Sequence, residues 1–268
     1  MEDRGDEIMK EIIRVNNASY SRYEELLTKR DELKKKSFLY YRAYIREFGD
    51  LILEVYQTKI GCIKKKKTIE YYQMALNKGG VVDRDALQEY LLKEMAEYQK
   101  QLDDMIKDNE ASKDFGSISE MDLLKIKSIY RKIAKLIHPD INPMVNDSEE
   151  LMDLWNRVVI AYQCNELKEI QELEVLVHKA LEQLGIDELE IDIPDINTKI
   201  DDLLKEIHDI ETSNPYMYKF LLEDKEAIQE KKDSLKQELE EYQDYSKELD
   251  GIINELISGG VSIVWRMS

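Results

Sequence analysis

Residues that break helices are so scarce in this sequence that little besides long helices is open to it. Ten glycines and four prolines are spread over 268 residues. A β-sandwich or barrel reverses direction about every ten residues and uses Gly, Pro, Asn or Asp at most of those turns. An apolar fraction of 43% is, in turn, more than a wholly disordered chain carries. The expected fold class is all-α, built of elongated helical hairpins and coiled coil.

Two cysteines, Cys62 and Cys164, are too few and too far apart for a disulfide framework or a four-thiolate zinc site, and they point to a reducing compartment. The acidic opening Met1-Glu2-Asp3-Arg4 leads into no apolar leader core, and no apolar run nears the ~20 residues needed to cross a bilayer. A soluble, cytoplasmic chain with no membrane partner is expected. Asp and Glu number 57 against 39 Lys and Arg, a formal charge of −18 that repels nucleic-acid phosphates over most of the surface. Any basic docking surface must therefore be local.

Apolar residues at Ile8, Ile12, Val15, Tyr23, Leu26, Leu27 and Leu33 predict one amphipathic helix from Asp6 to about Lys36. Ser37 is read as its punctuation. Helical spacing resumes from Phe38 to Asn77, with Gly79-Gly80 as the stop and Gly49 and Gly61 as places of close helix contact or a small bend. A third helix is expected over 83–108 and a helical pair over 119–138 and 147–184, followed by a break from Gly185 to Pro194. Ile196, Ile200, Leu203, Ile207 and Ile210 then mark a short arm. Asn214-Pro215 offers an N-cap with Pro at the first helical position, and Leu221, Ile228, Leu235, Tyr242, Leu249 and Leu256 recur every seven residues along a long arm over 216–257. The two arms read as an antiparallel coiled-coil hairpin whose excess apolar seam is expected to pack on the N-terminal helices of the same, monomeric chain. Val261–Trp265 is a β-prone tail.

Residues 126–143 bear most of the chemical information. Ile126, Ile129, Ile133 and Ile137 share a helix face with Tyr130 at its edge, while Lys127, Arg131 and Lys135 form the opposite stripe, flanked by Lys125 and Lys132. This is a basic face in an acidic chain. Pro139 lacks an N–H and biases His138 away from helical geometry, so the helix is expected to end there and display His138 and Asp140 on a turn.

This passage resembles the J domain of the DnaJ co-chaperone family, in which a basic helix runs into a His-Pro-Asp loop and an antiparallel helix follows. His138-Pro139-Asp140 supplies the tripeptide. Tyr130 to Lys135, Asn142-Pro143, and Trp155, Val158, Ala161 and Tyr162 fit the flanking pattern. The resemblance covers about residues 119–170, and the wider layout looks like J-domain proteins of bacterial type with flanking coiled coils. It implies docking on a DnaK-type chaperone, and stimulation of its ATP hydrolysis, through Lys127, Tyr130, Arg131, Lys132, Lys135, His138, Pro139, Asp140 and Asn142. Two departures stand out: Ile141 occupies a position that is commonly basic, and the family's short first helix with its Tyr-x-x-Leu-Gly signature is missing, its packing role being assigned to 83–108.

On this reading the chain divides into an N-terminal helical hairpin (1–80), a J-like module with its preceding helix (81–185) and a C-terminal coiled-coil hairpin with tail (186–268). A client protein could bind the coiled coil, or the coiled coil could merely stiffen the molecule. The alternative expectation is a structural or assembly protein whose J-like module no longer stimulates a chaperone. Lys34–Lys36 and Lys64–Lys67 read as solvated surface rather than nucleic-acid contacts, since consecutive lysines point all round a helix. His178 and His208 read as surface or packing residues. Neither an enzyme, a cofactor nor a metal site is expected, because no nucleophile–base pair, phosphate loop or ligand cluster stands out.

Overall fold

The computed structural model describes residues 2–113, 118–184 and 195–264, with side chains from Ser19 onward. The protein is all-α, with one two-stranded ribbon among the described residues. In chain order the elements are α1 (Glu2–Leu76), β1 (Val81–Asp83), α2 (Arg84–Lys113), α3 (Glu120–Ile137), a 3-10 turn (Pro143–Asp147), α4 (Glu149–Cys164), α5 (Leu167–Gln183), α6 (Ile196–Thr212), α7 (Tyr218–Glu223), α8 (Lys225–Ser258) and β2 (Ser262–Val264).

The break expected at Ser37 does not occur, and the hairpin expected over 1–80 is one helix. Ser is only a few tenths of a kcal/mol poorer than good helix formers, and Ser37 is buried in an otherwise uninterrupted pattern. The stop at Leu76 is as expected: Gly79 and Gly80 take φ of 106° and 80°, where a Cβ is strained. Elsewhere two long segments are divided. Asn165, left-handed at φ 60°, ends α4 and separates it from α5. Asn214-Pro215 starts no helix; α7 begins at Tyr218, and Asp224 caps α8 by accepting the N–H groups of Glu226 and Ala227 at 2.9 and 3.2 Å. The break expected over Gly185–Pro194, the side chains of Ile8, Ile12 and Val15, and Trp265 lie outside the described residues.

The chain forms two compact units that cut across the expected segments: residues 1–41 with 116–218, and 42–115 with 219–268. In the first, α3, α4 and α5 enclose a core of Ile126, Ile129, Ile133, Ile137, Leu151, Trp155, Val158, Ile170, Leu173 and Val177. The third wall of this module is thus α5, not the 83–108 segment, which belongs to the other unit. The two arms expected as one hairpin belong to different units, the short arm α6 to the first and the long arm α8 to the second. Leu203 and Ile207 pack instead on Tyr23, Leu26, Leu27 and Leu33 of α1.

In the second unit, the seam of α8 is covered by the same chain, as the excess apolar surface demanded. Leu235 and Leu239 meet Phe48 and Val55, and Leu249 meets Cys62 and Ile69. β2 pairs in parallel with β1, Ile263 opposite Val82. Two lysines expected in solvent tie helices together: Lys65 reaches the Ser246 carbonyl (3.1 Å) and Asp250 (2.6 Å) of α8, and Lys67 reaches Glu94 of α2 at 3.0 Å.

The two mid-helix glycines differ in kind. A Cβ on Gly49 would overlap Oδ1 of Asn109, which is buried and held to Asp50 through its Nδ2 at 2.8 Å; a Cβ on Gly61 would meet nothing within 4 Å. Gly61→Ala is therefore expected to stabilise the protein by about 0.5–1 kcal/mol through helix propensity. Gly49→Ala is expected to destabilise it by about 1–3 kcal/mol, because the buried amide must move. Equilibrium chemical unfolding of the two variants checks both signs.

Candidate functional site

The sequence-predicted residues all lie in the first unit, on α3 and the turn that follows it. Ser119 starts α3 by accepting the Asp122 N–H at 3.1 Å. The helix ends as expected with the His138 N–H on the Ala134 carbonyl at 3.0 Å, just before Pro139. The turn is tied by its own groups. The backbone N–H groups of Ile141 and Asn142 both bond to the His138 carbonyl, at 3.0 and 2.7 Å. The Asn142 side chain donates from Nδ2 to the Leu136 carbonyl at 2.8 Å, and the Asp140 N–H donates to His138 Nδ1 at 3.0 Å.

The expectation that His138 is displayed does not hold: its residue is 3% exposed. The ring packs on Trp155, with centroids 4.6 Å apart, and its outer edge is covered by α1. Arg30 sits with Nη2 3.0 Å from His138 Nε2 and Nη1 2.9 Å from Asp140 Oδ2; it also bonds Asp31 and approaches Glu206 of α6 at 3.6 Å. A neutral imidazole has one acceptor nitrogen. The Asp140 amide at Nδ1 and Arg30 Nη2 at Nε2 are both donors, so a neutral ring accepts only one of them at a time; Nε2 also lies 3.6 Å from Asp31 Oδ2. Asp31 in turn accepts the Tyr130 hydroxyl at 2.7 Å.

The basic stripe meets the same helix. Lys127 and Arg131 pair with Glu32 at 2.8 and 2.7 Å, and Lys135 pairs with Glu24 at 2.7 Å. Residue numbers rise along α1 as they fall along α3, so these two segments run antiparallel. Lys132 turns aside to Glu174 of α5 at 3.3 Å. Tyr130 lies within the core rather than at its edge, stacked on Tyr162 with centroids 3.9 Å apart. Ile141 is 2% exposed and packs with Tyr23, Leu26, Leu27, Leu33, Leu203 and Ile207. His178 and His208 are exposed, as expected.

Burial alone would raise the Asp31 carboxyl, but the His138 imidazole 3.6 Å away, the Arg30 charge and the Tyr130 hydroxyl hold it below the ordinary carboxylate value. Glu32, likewise pushed up by burial, is brought below its usual value by Lys127 and Arg131. The Tyr130 hydroxyl is raised by burial and by Asp31. Lys35 departs most from the solvated lysine expected of its run: it is buried, its ammonium lies 4.0 Å above the Tyr162 ring, and burial brings it down to about 8.

Arg30, Asp31, Glu24 and Glu32 escaped the reading of the sequence, although one signal was present. Arg30 interrupts the apolar stripe formed by Tyr23, Leu26, Leu27 and Leu33, and a charge on a seam implies a buried partner. Among the described residues no group of three or more His, Cys, Asp or Glu could hold a metal ion, and no helix is long and apolar enough to cross a membrane. No family model, no curated protein and no solved structure matches the chain.

Lys35 makes stability depend on pH. Between about 8 and the ordinary lysine value of 10.5 the unfolded chain holds a proton that the folded chain has released, so stability rises with pH across that window. Lys35→Met is expected to stabilise the protein at pH 7 by about 1 kcal/mol, the Tyr162 face and Glu32 offsetting part of the burial cost. That advantage should shrink as pH rises toward 10.5, as followed by denaturant unfolding at stepped pH.

Proposed function

We propose that the chain is a J-domain co-chaperone that recruits a DnaK-type chaperone in the cytoplasm and accelerates its ATP hydrolysis. The reading rests on one observation: a helix with a basic stripe ends in a self-tied His138-Pro139-Asp140 turn at the tip of a hairpin with α4. Lys127, Arg131 and Lys135 supply the field that steers toward an acidic chaperone surface, and Asp140 supplies a carboxylate for a charge-assisted bond from a chaperone arginine. Tyr130 and Asn142 act from beneath, holding the helix and the turn in shape. The closure of the α8 seam by α1 suits a chain that works as a monomer.

A second reading, a structural protein whose J-like module serves only to pack, is favoured by the burial of His138 and by the pairing of Asp140 with the chain's own Arg30. Single-turnover ATP hydrolysis by the DnaK-type chaperone of the same cell separates the two. Acceleration by the full chain is expected, with its loss in Asp140→Asn and in Arg131→Glu/Lys135→Glu at unchanged helicity. Acceleration that Asp140→Asn leaves intact would falsify the proposal. So would the absence of any acceleration both in the wild type and after Glu24→Gln/Glu32→Gln.

A further inference from the structure

We infer that residues 23–35 of α1 are a built-in stand-in for the chaperone, closing the basic face and the His-Pro-Asp turn until α1 lifts away. The inference rests on the co-chaperone reading and goes beyond it to how the site is controlled.

Complementarity runs in both senses of charge. Where α3 is basic, α1 is acidic: Glu32 answers Lys127 and Arg131, and Glu24 answers Lys135. Where the turn is acidic, α1 is basic, and Arg30 bonds Asp140 at 2.9 Å. The groups that a chaperone is proposed to use are thus already engaged by the same chain. Tyr130 is engaged as well, through Asp31. Ile141 adds an apolar anchor, buried against α1 and α6 at the position where the J-domain pattern commonly carries a basic residue.

The contact is also of a kind that can open without unfolding the module. Among the described residues the core formed by α3, α4 and α5 contains no α1 side chain, and the turn keeps its own bonds through Asn142 and the Asp140 amide. Against the module α1 places the charged ends of Glu24, Glu32 and Arg30, whose pairs recover little beyond the desolvation of their charges, together with the Lys35 ammonium over the Tyr162 ring and one apolar contact, made with Ile141 of the turn. Being covalently tethered, α1 nevertheless competes at an effective concentration in the millimolar range. The apparent affinity for an external partner falls by the fraction of molecules that are open.

The test uses the full chain, with chaperone binding and single-turnover hydrolysis as readouts. Glu24→Gln/Glu32→Gln removes two partly exposed anions that lie outside the proposed chaperone-binding set, and a second variant adds Arg30→Gln; circular dichroism verifies helicity in each. The double variant is expected to bind the chaperone about threefold to tenfold more tightly than the wild type. The triple variant should bind tighter still, and Asp140→Asn added to the double variant should abolish the gain. Should the triple variant lose helicity, the double variant alone decides. Equal affinity and equal acceleration by wild type and double variant would mean that the face is free, overturning the closure while leaving the co-chaperone function in place. No binding or acceleration by any of them overturns that function, and the closure falls with it.

Discussion

A single guanidinium organises the first unit. Arg30 has a side chain only 11% exposed, and it lies among Asp31, Asp140 and Glu206 with His138 against its edge. A buried cation without partners is prohibitively expensive, whereas one that satisfies several anions at once fixes their positions. Arg30 thereby sets α1, α6 and the turn after α3 in one arrangement. The flanking pairs specify its register. Glu24 and Glu32 lie on either side of Arg30 along α1, and they meet Lys135 and the Lys127–Arg131 pair of α3. Sliding α1 by one helical turn would leave Arg30 buried without Asp140 and detach Glu24 from its partner, so the charges choose a register that apolar contacts alone would leave loosely defined.

The turn itself does not depend on Arg30 for its shape. Pro139 removes the donor that would continue α3, the Ile141 and Asn142 amides close on the His138 carbonyl, and the Asn142 side chain reaches back to Leu136. Asp140 then points its carboxylate outward at about half exposure. Shape is supplied from within the turn and charge compensation from outside it. On the proposed reading, this division lets a chaperone arginine replace Arg30 at Asp140 without rebuilding the loop.

The α3 helix was legible in the sequence because local rules agree there: the Ser119 cap, the isoleucines at helical spacing and Pro139 all point to the same boundaries. The stop at Gly79-Gly80 and the burial of the α8 seam were legible for similar reasons. What escaped is tertiary. Ser37 was read as punctuation, yet a serine with no glycine or proline beside it does not stop a helix. The sevenfold spacing of α8 announced an apolar stripe but could not name its partner, and α6 and α8, adjacent in sequence, cover different parts of α1. The turn was placed correctly and its environment was not, because the ion pairs and the hydrogen bond that cover it join residues about a hundred positions apart. Consecutive lysines were likewise treated as equivalent, although Lys35 is buried and Lys65 and Lys67 reach other helices, while Lys36, Lys64 and Lys66 are exposed.

Ile141 carries this furthest. An exposed isoleucine beside a charged tripeptide would be costly on a free docking surface, at roughly 25 cal/mol for each Å² of apolar area left in water. Covered by Tyr23, Leu27 and Ile207, it costs nothing and adds to the same contact that Arg30 makes with the residue before it. One apolar anchor and one ion pair at adjacent positions thus act on the same few ångströms of α1, so lifting the helix exposes Ile141 at the moment it frees Asp140. On the proposed reading, a chaperone that binds the opened turn must cover that side chain as well. A partner with an apolar contact beside its arginine would then be preferred over one that offers charge alone, and specificity for the partner would lie in Ile141, with the basic stripe supplying the attraction.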